Sequence, residues 1–179
     1  MPDTSPDNFN ALIAPALHPH IIHESELTLM PSNPRIGNVN VIEGSLKTFG
    51  LMSALVFRNE PDPDDPKSMR KVVYAGNHRL QAARNLGWSH VAAIDGDHLT
   101  HDQIRAYSLA DNKTGDMGTY DDDLLASLLG DLGDDPTGEL LAATGYTNTD
   151  LDRLMADFPG EPDMLDDGSY ATPCPECGK

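Results

Sequence analysis

Basic residues are scarce in this chain. Lys and Arg together number 12 against 29 Asp and Glu among 179 residues, which gives a formal net charge of −17. The imbalance is concentrated after Leu109, where 17 residues are acidic and 3 are basic. Binding a nucleic acid backbone through the overall field needs a basic face that releases counterions, so this charge excludes it. Any anion that the protein binds must therefore be held at a local site.

Long apolar runs and cysteines are also few. No stretch approaches the length of a transmembrane helix, and residues 1–10 are polar and contain prolines, without the apolar core of a signal peptide. The two cysteines, Cys174 and Cys177, both lie at the C-terminal end, which argues against a secreted disulfide scaffold. We therefore expect a cytoplasmic protein that has no membrane partner.

Strand and helix patterns alternate between residues 21 and 111. The apolar residues of Val39–Phe49 recur at three- and four-residue spacing, which predicts a helix that ends at Gly50. Thr100 and Gln103 predict a capping box at the start of a second helix, which ends near Ala110. Strands interleaved with helices at this spacing predict an α/β (α+β) domain. The predicted strands are Ile21–Met30, Leu55–Arg58, Lys71–Tyr74 and His90–Ile94, and the predicted helices are Val39–Phe49, one beginning within two residues of Gly76, and one after Thr100.

The C-terminal part has the pattern of an acidic helical extension. Asp111–Gly115 predicts a polar connection between helices. Asp121–Leu129 predicts a leucine-rich helix with three aspartates in its first turn, where the helix dipole favours them. A helical pair is predicted at Thr137–Thr144 and Asn148–Phe158. The predicted organisation is a flexible arm at 1–20, a sheet domain at 21–115, the acidic extension at 116–158 and a disordered tail at 159–179.

One stretch has the pattern of an anion site. Val72–Leu86 (VVYAGNHRLQAARNL) combines an apolar strand, a turn at Gly76 and the start of a helix. The free N–H groups of a helix N-terminus attract anions, and a glycine lets the backbone approach one closely. Arg79 lies in the first turn, where its fork can bind a phosphate or carboxylate in two places. The alternative is a common strand–turn–helix junction with an ordinary surface arginine.

The tail contains half of a zinc motif. Cys174-Pro175-Glu176-Cys177 supplies two ligands, whereas a structural zinc ion takes four. The missing pair would come from a second subunit, which would make a homodimer, or from a histidine among His18, His20 and His23. The alternative is a tail that binds no metal.

Four motifs, in this order along the chain, resemble the ParB/sulfiredoxin-like superfamily in the form called the ParB-like nuclease (ParB N-terminal-like) domain. They are Asn33-Pro34-Arg35, Ser45–Arg58 (SLKTFGLMSALVFR), Gly76–Ala83 and Leu109–Asn112. The resemblance covers about residues 21–129 and implies a small mixed sheet with surrounding helices. The chain is particularly similar to stand-alone phage proteins and to the N-terminal domains of adenine-specific DNA methyltransferases.

The resemblance implies a bound nucleotide. Chromosome-partition members of the superfamily bind and slowly hydrolyse CTP with magnesium, so we expect a nucleoside triphosphate (CTP or ATP) with Mg²⁺. The segment from Gly76 matches their main phosphate motif, Leu51–Leu55 matches the loop that lines the base, and Arg35 would close over the phosphates. Asn112, beside Asp111, matches the second phosphate and metal motif as the Mg²⁺ ligand. The implied cofactor-binding residues are Arg35, Gly76, Asn77, His78, Arg79, Asp111, Asn112 and Lys113.

The chain also departs from the superfamily pattern. Asn77-His78 stands where partition proteins usually carry Glu-Arg, and residues 110–179 are acidic where those proteins continue into a basic helix-turn-helix domain. Sulfiredoxins place a cysteine at this position, so Asn77 excludes their redox chemistry. His78 is either a general base near neutral pH or a polar turn residue without chemistry. For Asp111 and Asn112 the alternative is a helix C-cap, and for Lys113 it is simple exposure.

These features predict two main functions. The first is a ParB-like, nucleotide-binding protein of phage or mobile-element type, active as a nucleoside triphosphatase, nuclease, partition-like protein or methyltransferase partner, and reaching DNA at a local site or through another protein. The second is a catalytically inactive module whose acidic helices bind a basic protein. A small-molecule kinase, for which Glu24, Glu26 and Glu43 are the candidate carboxylates, is a third interpretation.

Overall fold

The structure, a computed structural model, describes residues 9–65 and 67–156. They divide into two units, the first formed by the chain up to Gly118 together with Ala142–Gly145, and the second by Thr119–Leu141 together with the chain from Tyr146. None of the described helices is long and apolar enough to cross a membrane. Cys174, Cys177 and the predicted tail lie outside the described residues.

The described elements alternate between strand and helix, and the predicted α/β class is confirmed. The strands are β1 (Ile21–His23), β2 (Leu27–Leu29), β3 (Leu55–Pro61), β4 (Met69–Ala75) and β5 (His90–Asp95). The α-helices are α1 (Phe9–Leu12), α2 (Val39–Phe49), α3 (Asn77–Asn85), α4 (His101–Asp116), α5 (Asp122–Gly133), α6 (Glu139–Thr144) and α7 (Asn148–Ala156).

The five strands form one mixed sheet in the order β1-β5-β3-β4-β2. The central pair, β3 and β4, is antiparallel, and Arg58 faces Val72 in its register. Strand β5 runs parallel to β3 and β2 runs parallel to β4, whereas β1 is antiparallel to β5. Strand β4 therefore lies one position from the edge and leads directly into α3, the predicted anion site.

The alternation of β4 divides the apolar residues between the two faces of the sheet. Val73 is fully buried in the larger cluster, with Leu46 of α2 and Leu80 of α3. Val72 and Tyr74 point to the opposite face, where Ile104 of α4 packs against them. The sheet is therefore covered by α2 and α3 on one face and by α4 on the other.

The single strand predicted at Ile21–Met30 is wrong, because the chain turns in its middle. A 3₁₀ turn at Glu24–Glu26 separates β1 from β2, which lie at opposite edges of the sheet. Arg84 of α3 stabilises the turn by donating to the carbonyl oxygens of Glu24 (3.0 Å) and Leu27 (2.7 Å). This contact links residues about sixty positions apart, so local alternation does not reveal it.

The polar connection predicted at Asp111–Gly115 is also wrong. Helix α4 begins at the predicted capping box, in which the Thr100 amide donates to the Gln103 side chain and the Gln103 amide donates to the Thr100 hydroxyl. The helix then continues through Asp111–Gly115 to Asp116. Inside the helix, Asn112 and Thr114 donate to the carbonyl oxygens four residues earlier, at 2.7 and 2.8 Å. Polar residues that bond to the preceding turn are compatible with a helix interior. Asn112 is therefore not a C-cap.

The described part of the predicted flexible arm packs against the sheet domain. Leu12 and Ile13 are only 3% and 1% exposed and belong to the larger apolar cluster. Ile13 forms an isolated parallel bridge with Leu51, and the Leu51 amide donates to the Leu12 carbonyl at 2.7 Å. These residues complete the core beneath the C-terminal end of α2.

Gly50 ends α2 at the residue that the sequence indicates. Its φ is +71°, and a Cβ there would lie 2.5 Å from the Leu12 carbonyl oxygen. We expect Gly50→Ala to lower the free energy of unfolding by about 2–4 kcal/mol, because the backbone strain and the overlap add together. Chemical denaturation measures this loss.

Gly44 provides the matched control for this prediction. It lies inside the same helix, and a Cβ there would meet nothing within 4 Å. Gly44→Ala is therefore expected to raise the free energy of unfolding by about 0.5–1 kcal/mol. Equal effects of the two alanines would contradict the packing of Gly50 against Leu12.

In the second unit, the predicted acidic helix is present as α5. Asp121 caps it by accepting from the Leu124 amide at 3.1 Å, and Asp122 and Asp123 follow in the first turn. Ala126 and Leu129 form its buried face. The described residues from Thr119 to Leu141 and from Tyr146 to Ala156 contain nine acidic residues and one basic residue.

Candidate functional site

A cavity of about 140 Å³ opens where β4 meets α3 in the first unit. Its floor is the junction itself, and the remaining walls come from the loop after β2, from α2 and from α4. The lining residues are Tyr74–Arg79 at the junction, Asn33 and Arg35 in the loop, Ile42 of α2, and Asp111 and Asn112 of α4. Three segments predicted from separate motifs therefore line one cavity.

The start of α3 presents backbone donors to this cavity. Gly76 is the N-cap residue with φ +89°, and the first backbone hydrogen bond of the helix runs from the Leu80 amide to the Gly76 carbonyl at 2.9 Å. The amides of Asn77, His78 and Arg79 thus have no acceptor within the helix. Such a group of N–H donors at the positive end of a helix dipole binds anions.

Arg79 lies directly over Gly76. A Cβ on Gly76 would lie 3.3 Å from the Arg79 Nη2, and the φ of +89° at this position strains any residue with a side chain. The Arg79 Nη1 donates to the Ser53 carbonyl at 2.8 Å and also to the Ser53 hydroxyl. Burial lowers the pKa of Arg79 from its ordinary value, against the opposing effect of Asp111. A guanidinium that is partly desolvated in this way gains stabilisation from a bound anion.

The Asn77 side chain is used for the fold. It is 8% exposed, its Oδ1 accepts from the Met30 amide at 2.8 Å, and its Nδ2 donates to the Val73 carbonyl at 2.9 Å. It therefore connects the end of β2 to β4 beneath the cavity. Each end of the amide therefore has a partner in the fold, and the backbone N–H of Asn77 remains as a donor at the start of α3.

His78 connects the cavity to the loop after β2. Its Nε2 accepts from the Gly37 amide at 3.1 Å. The ring lies so close to Gly37 that a Cβ there would come within 2.8 Å of it. The Nε2 lone pair is engaged, so we assign His78 a positioning role and do not assign it a general-base role.

This role predicts the behaviour of the loop. His78→Ala removes the acceptor of the Gly37 amide, so exchange of that amide with solvent is expected to become about fivefold to tenfold faster. Heteronuclear NMR under exchange conditions measures the rate. His98→Ala, which changes an exposed histidine away from the cavity, is expected to leave it unchanged. A Gly37 amide that exchanges equally fast in both variants would show that His78 does not hold the loop.

Arg35 lies at the rim of the cavity. Its guanidinium contacts the carboxylate of Asp116, the last residue of α4, at 3.3 Å, and both side chains are about half exposed. The Arg35 amide donates to the Asn33 side chain at 3.2 Å, which shapes the turn. An exposed ion pair of this kind contributes about 0–1 kcal/mol, so Asp116 holds Arg35 only weakly.

Two polar residues of α4 face the junction. Asn112 uses its Nδ2 on the Ser108 carbonyl, which leaves its Oδ1 as the potential ligand atom. Asp111 hydrogen-bonds to Tyr107, and burial together with this carboxylate raises the pKa of Tyr107. Asp111 also acts electrostatically on Arg79. The cavity therefore combines cationic donors on one side with oxygen acceptors on the other.

Magnesium fits this donor set. Mg²⁺ is usually bound by one or two protein oxygens together with substrate phosphates, and Asp111 and Asn112 are such donors at the cavity. Between residues 9 and 156, apart from Pro66, no three His, Cys, Asp or Glu side chains form a metal-binding group. A metal at this site would therefore depend on the ligand's own oxygens.

Some predicted site residues lie elsewhere. Lys113 is exposed on α4 and does not line the cavity, while Leu51 and Leu55 are buried in the core.

The three carboxylates considered for a kinase each have a partner: Glu24 pairs with Arg84, Glu26 with Lys71, and Glu43 accepts from Asn85. None of these three carboxylates lines the cavity at the start of α3.

Sequence reasoning missed three contributors. Ser53 positions Arg79, Tyr107 supports Asp111, and Asp116 pairs with Arg35. For Tyr107, continuing the helical pattern of α4 would have provided a signal, because residues four apart lie on one helix face. Ser53 and Asp116 have no local signal, because their partners lie 26 and 81 positions away.

The sheet order, the covering helices and the cavity at the start of α3 define a ParB-like fold. The C-terminally truncated chromosome-partitioning protein ParB from Caulobacter crescentus, complexed with CTP-gamma-S, is similar with a TM-score of 0.59 and 16% identity, over 75% of each chain. ParB from the same organism, complexed to the centromeric parS site, matches with a TM-score of 0.41 and 16% identity, over 75% of this chain and 69% of that chain. No protein-family model matches the sequence, and no curated protein matches it.

Proposed function

We propose that the protein binds a nucleoside triphosphate, CTP or ATP, with its phosphates in the cavity at the start of α3. The observation that carries this proposal is the arrangement of Arg79 over Gly76 beside three backbone N–H donors. Arg35 provides a second cation at the rim, released from Asp116 when a phosphate binds. The ParB structure of the same fold contains CTP-gamma-S, which makes CTP the first nucleotide to test.

The size of the cavity favours the phosphates as its occupants. Pockets that enclose a whole small molecule measure about 300–1,000 Å³, whereas this cavity measures about 140 Å³. The phosphate groups would be enclosed, and the nucleoside would lie largely outside. In this arrangement Mg²⁺ would be held between the phosphate oxygens and the oxygen atoms of Asp111 and Asn112, neutralising negative charge next to Arg79.

Isothermal titration calorimetry with CTP, ATP and GTP, each with Mg²⁺, tests the proposal on the full chain. Binding of CTP or ATP is expected, weaker when Mg²⁺ is removed with a chelator. Failure of all three nucleotides to bind folded protein would overturn the proposal. Release of inorganic phosphate in the same samples measures whether the bound nucleotide is hydrolysed.

We further propose that nucleotide binding serves a DNA-associated process in a phage or mobile element, as a nuclease, a partition-like protein or a methyltransferase partner. The net charge of −17 requires that DNA be reached at a local site or through another protein. A DNA mobility shift with and without nucleotide and Mg²⁺ tests direct contact, and nicking of plasmid DNA tests cleavage.

A second candidate function rests on the charge of the second unit. Its described residues contain nine acidic residues and one basic residue, a composition suited to a basic protein surface. Full-length protein in which the exposed Asp131, Asp134 and Glu139 are replaced by Asn, Asn and Gln is expected to lose such a partner in a pull-down from the native host. A partner retained by this variant would argue against this function.

A further inference from the structure

A second cavity lies on the α4 side of β4 and is separate from the proposed nucleotide site. It measures about 350 Å³ and is lined by Arg70, Arg105 and His101 together with Glu60 and several apolar residues. Tyr74 is the one residue that the two cavities share, and Arg79 does not line the second one. The Val72–Leu86 stretch contributes Val72 and Tyr74 to this cavity, whereas Arg70 and Arg105 belong to none of the motifs in the sequence analysis.

The strand geometry explains how arginine comes to lie here. Alternation along β4 places Arg70, Val72 and Tyr74 on one face, and the register of β3 places Glu60 opposite Arg70. Val72 and Tyr74 pack against Ile104 of α4. Arg70 continues this face beyond the apolar cluster, and Arg105 follows Ile104 on α4 at the same cavity.

The charges of the two arginines are not balanced locally. The Oε1 atom of Glu60 accepts from Arg58 at 2.6 Å and from the Tyr74 hydroxyl at 3.0 Å, so this carboxylate already pairs with a third arginine. Among the described residues, neither Arg70 nor Arg105 forms a salt bridge. The Nε atom of Arg70 is buried, and none of the described residues forms a hydrogen bond with it. A buried cationic donor without an acceptor is unfavourable, and an anion would satisfy it.

We propose that this second cavity binds a small organic anion, with its phosphate or carboxylate on Arg70 and Arg105. Arginine forks match both oxyanions in two-point geometry. The apolar body of the ligand would lie against Val72 and Pro61, which line the same cavity. A volume of about 350 Å³ is within the range of small-molecule pockets. The proposal does not depend on nucleotide binding at α3.

Calorimetry at low ionic strength tests the proposal with phenyl phosphate, inorganic phosphate and benzoate. The parent is full-length Arg79→Ala, because this variant is expected to weaken anion binding at the first cavity at least a hundredfold. We expect phenyl phosphate or benzoate to bind, and phenyl phosphate to bind about tenfold tighter than inorganic phosphate because its ring is buried. The comparison of phenyl phosphate with benzoate identifies the charged end that the site prefers.

Arg105→Gln in the same parent is expected to weaken binding at least tenfold. Arg105 is exposed on α4, so its replacement leaves the fold intact. Arg153→Gln removes the same charge from α7 and is expected to leave the affinity within twofold. Should Arg79→Ala fail to fold, NMR shifts of the Arg70, Val72 and Arg105 amides in the unmodified protein report the same binding.

Three results would overturn the proposal. The first is the absence of binding by all three probes. The second is binding that Arg105→Gln leaves unchanged. The third is inorganic phosphate that binds at least as tightly as both phenyl phosphate and benzoate, because the apolar body of an organic anion would then contribute nothing.

Discussion

Arg79→Ala is expected to weaken binding of CTP or ATP at least a hundredfold. The Arg79 guanidinium lies over the Gly76 turn, and hydrogen bonds to a charged group contribute about 1.5–3 kcal/mol each. Losing two such bonds to phosphate corresponds to about 3 kcal/mol or more, hence the hundredfold loss. Calorimetric titration with each nucleotide and Mg²⁺ measures the change.

Two variants make this prediction specific. Arg79→Lys keeps the charge and loses the fork, so an intermediate loss of about tenfold is expected. Arg153→Ala removes one positive charge from a side chain that is 77% exposed on α7, and its affinity should match that of the parent. If Arg79→Ala binds as tightly as Arg153→Ala, the phosphates bind elsewhere.

Asn77→Ala is expected to lower the free energy of unfolding by about 2–4 kcal/mol. The substitution leaves the Met30 amide and the Val73 carbonyl without their partner, and each buried group left unpaired costs about 1–3 kcal/mol. It also releases the end of β2 from β4. Chemical denaturation monitored by circular dichroism measures the loss. The dependence of the unfolding free energy on denaturant concentration should be the same in both variants.

Asn85→Ala is the matched control within α3. Asn85 is exposed, and its hydrogen bonds to Gln81 and Glu43 lie at the surface, so a loss of about 0.5 kcal/mol or less is expected. Similar losses for the two alanines would show that Asn77 is not the internal connection described here. Nucleotide affinity of folded Asn77→Ala distinguishes the two roles further, because a ligand contact would lower it as far as Arg79→Ala does.

The arginine and asparagine predictions concern neighbouring residues of one motif with different roles. A motif specifies which residue stands at each position, but it does not show where each side chain points in the folded protein. Residue 77 points to the sheet and residue 79 points over the glycine because α3 turns by about 100° per residue from a fixed start. The Asn77-His78 pair, which departs from the partition-protein pattern, is used for the fold and for the loop through its side chains.

Much of the fold was predictable because its signals are local. The bounds of α2, the capping box of α4 and the strand before Gly76 follow from apolar spacing and from end residues only a few positions apart. The errors have two causes. A distant contact from Arg84 stabilises the turn at Glu24–Glu26, which separates the predicted first strand into β1 and β2. Side-chain hydrogen bonds to the preceding turn allow α4 to continue through a polar segment that has the composition of a loop.

The sequence by itself determined the α/β class, the strand–glycine–helix junction and the position of Arg79 in the first helical turn. Each depends on periodicity or on the freedom of glycine at positive φ, which are properties of neighbouring residues. Only the tertiary structure decided which residues share a cavity and which side chains are already engaged. The pairing of Arg35 with Asp116 depends on segments that the fold brings together from distant parts of the chain. The register of β3 and β4 places Arg70 opposite Glu60, whose ion pair is with Arg58 instead.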